Sequence, residues 1–171
     1  SGNGSRPISC ALPAAYCGLA GLKPTPGLVS RRGVIPLAPS LATAGPMAWT
    51  AQDCALLLDT LAGHDPADPA SVPGPGGSYA RGLDAPLKGL RVGLLRRFYE
   101  HDVPGSPEVL QMMTRAASTL RGLGCRVEEA ALPSVQEFNA VGRVIICAEA
   151  VSALDGSVQA NCDPATALRV V

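Results

Sequence analysis

The sequence predicts an α/β fold, a mixed, mainly parallel sheet flanked by helices. Two observations carry this. An apolar run at Leu87–Leu95, a helical repeat after Ser106 and a strand-like run at Cys125–Ala130 follow one another along the chain. Strand, helix, strand in that order implies a right-handed crossover onto a parallel pair. Further helical repeats follow Thr50 and Ser134, and hydrophobic residues make up 47% of the chain against 16% charged. That balance belongs to a globular chain, and 171 residues suffice for one domain with a real core.

In chain order, residues 1–5, SGNGS, read as an expression scar or flexible lead. Residues 6–11, RPISCA, are ambiguous. Leu12–Ala15 with Tyr16 begin a short helix, and Gly18–Leu22 and Leu28–Ser30 read as short extended segments. Thr50 is a suitable N-cap, with Asp53 at the capping-box position. Cys54, Leu57, Leu58 and Leu61 then share one helical face. Gly63 is expected to end that helix as a left-handed cap. His64–Pro86, which contains the run PGPGG, reads as an exposed connection.

Leu87–Leu95 reads as a strand buried on both faces. Ser106 is placed to cap the next helix, with Pro107 in the first turn, where a missing N–H costs nothing. Val109, Met112, Met113, Ala116, Leu120 and Leu123 form its expected inner face, the methionines as core filler, and Gly124 stops it. Cys125–Ala130 is the second strand. Ser134 and Glu137 make another capping box, opening a helix expected to turn Phe138, Val141, Ile145 and Ala148 inward. Glu149 on that helix either faces solvent or is buried with a partner. Residues 155–171 show no pattern.

Several function classes are excluded by composition. Formal net charge is zero and there is no basic run, so no nucleic-acid partner is expected. No apolar stretch approaches the roughly 20 residues that span a bilayer, and no charged-then-apolar leader opens the chain. A cytoplasmic protein without a membrane partner is the expectation. The six cysteines include no C-x-x-C pair and read as reduced thiols. His64 and His101 lack partners at ligand spacing, so neither a metal nor any cofactor is expected, and both histidines read as surface residues. The PGPGG run lacks the strand-to-helix setting and the Lys of a phosphate loop.

The remaining signal is the irregular run Leu12–His64, rich in Gly and Pro and carrying Arg31 and Arg32 side by side. Taken residue by residue, Gly18, Gly21, Gly27, Gly33 and Gly45 serve tight turns or hold a functional loop in shape; spacing alone leaves both open. The order of residues adds more. GLAGLKPTPGLVSRRGVIPLAPSLATAGPMA resembles the amidase signature family, whose members carry G-L-x-G-L-K-P-T-x-G-x-V-S-R-x-G-V-x-P-x-x-x-S-L-D-x-x-G-P-M. Gly18-Leu19, Gly21–Thr25, Gly27, Val29–Arg31, Gly33, Val34, Pro36, Ser40, Leu41 and Gly45–Met47 match. The likeness continues through DPADPAS (Asp65–Ser71) and LKGLRVGL (Leu87–Leu94) and fades after Leu154. It implies an amidase-like segment over residues 6–154, with residues 155–171 as a tail outside it.

The resemblance implies amide chemistry. Family members use a Ser nucleophile, a second Ser in a cis peptide and a Lys base. The Lys takes the proton that the second Ser relays from the nucleophile. The nucleophile lies in a D-T-G-G-S-I-R run shortly before G-L-x-G-L-K-P-T, which registers on Ser9. Around Ser9 the family's Asp and Thr become Ser5 and Arg6, its two glycines become Pro7 and Ile8, and its Arg becomes Ala11. Downstream, Ala42 replaces the Asp of S-L-D and Trp49 the Arg of M-A-R-T. The only lysines are Lys23, in the G-L-K-P-T match, and Lys88, at the start of a strand. Neither stands where the family's catalytic Lys does; that Lys and the cis-Ser fall before residue 1.

The resulting expectation is an amide (C–N) bond hydrolase segment acting on a small amide substrate, truncated or rearranged and inactive alone, with Ser9 the candidate nucleophile. The alternatives are a non-catalytic α/β remnant or binding module, and the amidase-like subunit of an amidotransferase assembly. Uncovered sheet edges and helix faces would make the chain a homo-oligomer.

Overall fold

The structure is a computed structural model that describes residues 10–35, 37–74 and 76–153. The mixed α/β class holds. The described strands form two separate pairs, one antiparallel and one parallel, where a single mainly parallel sheet was expected. The described chain divides into two compact units, one of residues up to Asp84 with Gly142 onward, the other Ala85–Val141.

The first unit opens with α1 (Ala11–Cys17), the short helix expected there. It ends where Gly18 turns left-handed at φ 67°, and the Leu19 N–H returns to the Ala14 carbonyl at 2.8 Å. Strand β1 (Ala20–Gly21) pairs antiparallel with β2 (Met47–Ala48), so the ends of the long irregular run meet. Helix α2 (Ala51–Leu61) follows with the expected cap: the Asp53 N–H donates to Thr50 Oγ1 at 3.1 Å.

The buried face of α2 is Cys54, Ala55 and Leu58. Leu57 and Leu61, expected on that face, are 44% and 47% exposed. Among the described residues α2 is covered by the β1–β2 pair, the 28–29 segment, Leu22, Ala44 and Tyr79, which leaves the Leu57 and Leu61 side of the stripe in water. Nor does Gly63 cap α2 in the left-handed region. The chain leaves at Ala62 in extended conformation, bridges Val29, and donates the Gly63 N–H to the Leu28 carbonyl at 3.1 Å. Pairing with the extended 28–29 segment replaces a local cap. Leu28, Val29 and Leu58 form the core, packed by Leu22, Ala44, Ala62 and Tyr79.

The segment after His64 is not simply exposed. Asp68 and Ser71 are buried. Asp59 of α2 accepts from Ser78 Oγ at 2.6 Å and from the Tyr79 N–H at 2.5 Å, which ties the far end of the connection to the helix. A 3₁₀ turn at Arg81–Asp84 follows.

The second unit is the expected strand–helix–strand unit. Strand β3 (Arg91–Leu94) lies parallel to β4 (Arg126–Glu129), joined through α3 (Pro107–Gly122). Strand β3 alternates exposed and half-buried residues instead of being buried on both faces; a two-stranded sheet leaves it uncovered. Pro107 opens α3 as expected, but Ser106 donates its hydroxyl to Glu108 at 2.6 Å and accepts no helix N–H. The inner face of α3 is rotated from the expected one. Ala117 is buried and Leu110, Met113 and Leu120 half-buried, while Val109, Met112, Ala116 and Leu123 are exposed. Gly124 follows at φ 88°.

Helix α4 (Val135–Ala153) starts at the expected capping box: Glu137 N–H donates to Ser134 Oγ at 3.2 Å, and Ser134 N–H to Glu137 Oε2 at 2.7 Å. Its buried residues are Ile146 and Ala150; Phe138, Val141 and Ala148 are exposed and Ile145 half-buried. Phe138 instead meets Phe98 edge-on, with ring centroids 6.2 Å apart.

Candidate active site

Helix α1 begins at Ala11, two positions after the candidate nucleophile in sequence. Ser9, with Ser5, Arg6, Pro7 and Ile8, lies outside the described residues; Cys10 is the first described position. Cys10 is held closely. Its carbonyl accepts the Ala14 N–H at 3.0 Å and its thiol donates to the Leu22 carbonyl at 3.0 Å. Two glycines make this fit possible. A Cβ on Gly21 would lie 2.6 Å from Ala14 Cβ and 2.8 Å from the Cys10 carbonyl oxygen. One on Gly45 would lie 2.1 Å from the Leu22 carbonyl oxygen and 2.8 Å from Cys10 Sγ. Gly18, Gly27 and Gly33 do serve turns with positive φ; Gly21 and Gly45 serve close approach.

The Val29–Arg31 stretch is fixed by two carboxylates from the Asp65–Ser71 motif. Ser30 Oγ donates to Asp65 Oδ2 at 2.7 Å, and the Arg31 N–H donates to Asp68 Oδ2 at 2.8 Å. Each aspartate also accepts the N–H two residues on, Ala67 at 2.9 Å and Ala70 at 3.0 Å, which closes successive Asx turns. The Arg31 guanidinium then reaches the next turn, donating to the Pro39 carbonyl and to the Ala42 carbonyl at 3.2 Å. From α4, Glu149 Oε2 accepts the Ser40 N–H at 2.9 Å. Glu149 falls between the two alternatives: it has a partner but is half-buried.

These contacts hold carboxyl groups ionised. Asp65 lies below the ordinary aspartate range because the Ser30 hydroxyl, then the Ala67 N–H, donates to it. Asp68 lies below it because the N–H groups of Arg31 and Ala70 donate to it. Asp59 is lowered in the same way, first by Ser78. A carboxyl whose folded pKa is depressed contributes stability above its unfolded value of about 3.9, and that contribution is lost as pH falls through the lower folded value. Thermal unfolding followed across pH is therefore expected to show a melting temperature that is flat near neutrality and drops on acidification through and below that value.

The other residues singled out in the sequence stand apart from this arrangement. Lys23 is exposed, donating to the Pro24 carbonyl at 3.2 Å, and Lys88, His64 and His101 are exposed too. Trp49 is 82% exposed. Ala42, at the family's Asp position, bonds through its backbone alone, its carbonyl accepting from Arg31 and its N–H donating to the Ala38 carbonyl. Among the described residues no cluster of three His, Cys, Asp or Glu could hold a metal, and Cys10, Cys17, Cys54, Cys125 and Cys147 are free thiols. In the second unit a cavity of about 270 Å³ sits where β3 and β4 end, lined by Leu95, Phe98 and Leu132 with Arg97 and Glu129. No residue of the signature run lines it. Asp59, Asp65 and Asp68 do not stand out in the sequence as functional positions. The doubled Asp-Pro-Ala of DPADPA is a local signal for two Asx turns, although it does not name their partners.

The Amidase family profile matches residues 9–169. The chain belongs to the amidase family. The match extends past Leu154 into the tail where the motif likeness fades. The A subunit of the glutamyl-tRNA(Gln) amidotransferase of Geobacter metallireducens is 43% identical over 142 residues, which is 83% of this chain and 29% of that protein. Its counterpart in Pseudomonas savastanoi pv. phaseolicola is 44% identical over the same shares. Among solved structures, the native peptide amidase of Stenotrophomonas maltophilia superposes with a TM-score of 0.72 at 39% identity, covering 85% of this chain and 30% of that one. The corresponding glutamyl-tRNA(Gln) amidotransferase chain of Thermotoga maritima gives 0.73 at 31% identity, covering 92% and 33%. The amidase chain thus spans about 29% of the length of the curated relatives it matches. No described helix is long and apolar enough to cross a membrane.

Proposed function

We propose that this chain is the signature-run segment of an amide (C–N) hydrolase acting on a small amide, that residues 6–154 are its amidase-like part, and that Ser9 is the nucleophile. The supporting observation is the seating of Cys10. The residue next to Ser9 lies against Gly21 and Gly45, and the loop between those glycines is fixed by Asp65, Asp68 and Arg31. That is a rigid mount for a reacting atom. In this reading Ser9 Oγ attacks the amide carbonyl, its proton passes through a bridging Ser to a neutral Lys, the amine leaves, and water releases the acyl group. Neither Lys23 nor Lys88 is the base, so the Lys and the bridging Ser come from outside these 171 residues. Pro7 has no N–H to offer an oxyanion, and one lost donor costs about 10²–10³ in rate.

The test is reconstitution. The chain alone should leave a panel of aryl amides untouched. Extended at its N-terminus with the Lys- and Ser-bearing region of a relative, it should hydrolyse them, and S9A should abolish the gain. Turnover by the unextended chain, or an extended S9A variant as active as its parent, would refute the assignment. Failure of the extended chain in a folded state would favour the non-catalytic binding module.

A second reading has its own support in the identity to amidotransferase subunits. In it the chain is the amidase-like part of an assembly and acts only beside partner chains. Native mass measurement of the chain recovered from its host would show heteromeric partners under this reading and none under the first.

Self-association fits both. Tyr16, Ile35 and Val144 are 83%, 79% and 70% exposed, apolar side chains that self-association would cover. Light scattering on the purified chain is expected to report a homo-oligomer; a clean monomer at working concentration would contradict it. Neither a nucleic-acid nor a membrane partner enters this proposal, and the reaction takes place in the cytoplasm.

A further inference from the structure

Glu149 has no place in the chemistry proposed above, yet it makes the longest-range side-chain contact to the signature run. It stands on α4 and reaches across 109 positions of sequence to the Ser40 N–H at 2.9 Å. The turn it grips is short and self-bonded: the N–H groups of Leu41 and Ala42 both return to the Ala38 carbonyl, at 3.0 and 2.7 Å. Arg31 holds the same turn by the Pro39 and Ala42 carbonyls. One anion and one cation therefore clamp five residues. Three positions on, Gly45 lies against Cys10, the neighbour of Ser9.

We propose that Glu149 is a positioning residue, a latch that holds the 38–42 turn and, through Gly45, keeps Cys10 in place at the start of α1. The amide-hydrolase reading enters only because Cys10 is the residue after Ser9 in the chain; the inference does not otherwise rest on it. The latch itself is a carboxylate accepting from a fixed backbone donor. Ionised, it takes a charge-assisted bond that a neutral carboxylic acid forms poorly. Ser40, by hydroxyl and N–H, keeps Glu149 ionised below the ordinary carboxylate range, and Arg31 is the charged side chain that adds to this. The latch is thus closed at neutral pH and opens only in acid.

The test uses the full chain as wild type, E149Q and E149D. Amide proton spectra are followed from neutral pH down through the carboxylate range, and alkylation of Cys10 by iodoacetamide at neutral pH is mapped by peptide mass. The Ser40 amide should move as Glu149 protonates in wild type and should not move in E149Q. Cys10 should alkylate several-fold faster in E149Q, with E149D between, while exchange protection of the β3–β4 pair stays unchanged. A purely structural bond confined to the 38–42 turn would move the Ser40 amide on titration but leave Cys10 alkylation unchanged. A wild-type Ser40 amide indifferent to pH would overturn the inference, as would equal Cys10 alkylation in folded E149Q and wild type. If E149Q does not fold, the wild-type titration and E149D decide. None of these readings involves amide turnover, so a chain that never hydrolyses an amide fails the proposed function and leaves the latch to be judged on its own.

Discussion

Gly45→Ala is expected to destabilise the first unit by about 3 kcal/mol, the upper end of what overpacking a fitted site costs. The added Cβ would sit 2.1 Å from the Leu22 carbonyl oxygen, 2.7 Å from Pro24 Cδ and 2.8 Å from Cys10 Sγ. A backbone carbonyl and a proline ring cannot swing aside. Relief must come from parting β1 from the segment before β2, which also frees Cys10. Space decides here and not conformation, since Gly45 is absent from the positions with positive φ. The comparison is Gly142→Ala on α4, where an added Cβ meets nothing within 4 Å. An alanine inside a helix is favoured over glycine by about 0.5–1 kcal/mol, so that variant should gain slightly. Urea midpoints at fixed pH measure both. Equal midpoints for the two variants would mean that the close approach at Gly45 is not what holds the segment.

Asp68→Ala is the second large effect. The aspartate is 7% exposed and accepts from two backbone donors, the N–H groups of Arg31 and Ala70. Alanine takes the carboxylate acceptor from both donors, on half-buried Arg31 and exposed Ala70, and with it two charge-assisted bonds that fix the turn. The consequence reaches beyond the loop, because Arg31 carries the Pro39 and Ala42 contacts on its side chain. The melting temperature should fall by several degrees in D68A and less in D68N, which keeps one acceptor oxygen. It should hardly change in D84A, whose side chain is exposed. D68N should also flatten the acid dependence of stability. A drop in D84A matching that in D68A would contradict the assigned role.

What could be read in the sequence was local. The caps at Thr50–Asp53 and Ser134–Glu137 needed four residues of chain: both bonds of the box formed at Ser134, while at Thr50 the N-cap bond formed and Asp53 accepts the Thr50 hydroxyl. The parallel pair β3–β4 needed only the order of three elements. Helix faces were read less well, because periodicity names a stripe and not what covers it. On α3, Val109-Met112-Ala116 and Leu110-Met113-Ala117 are both acceptable stripes one residue apart, and packing on β4 selected the second. On α4 the expected inward residues Phe138 and Val141 stay 51% and 61% exposed.

The site was half legible. The signature run gave the family; the Ser9 assignment drawn from it lies outside the described residues. It did not show that Gly21 and Gly45 act by close approach, because a turn glycine and a contact glycine look alike in sequence. Nor could it pair Ser30 with Asp65, Arg31 with Asp68 or Ser40 with Glu149. Those partners stand 35, 37 and 109 residues apart, and nothing local announces a backbone N–H waiting for a distant carboxylate.

If the Gly21–Gly45 seat carries a serine nucleophile whose proton acceptor lies outside these residues, a fluorophosphonate will find that serine only when the acceptor is supplied. Peptide mapping of the adduct on the N-terminally extended chain reads this out. The adduct is expected on Ser9, with none on the unextended chain under the same conditions. An adduct on any other serine, or no adduct on a folded extended chain, would contradict the assignment.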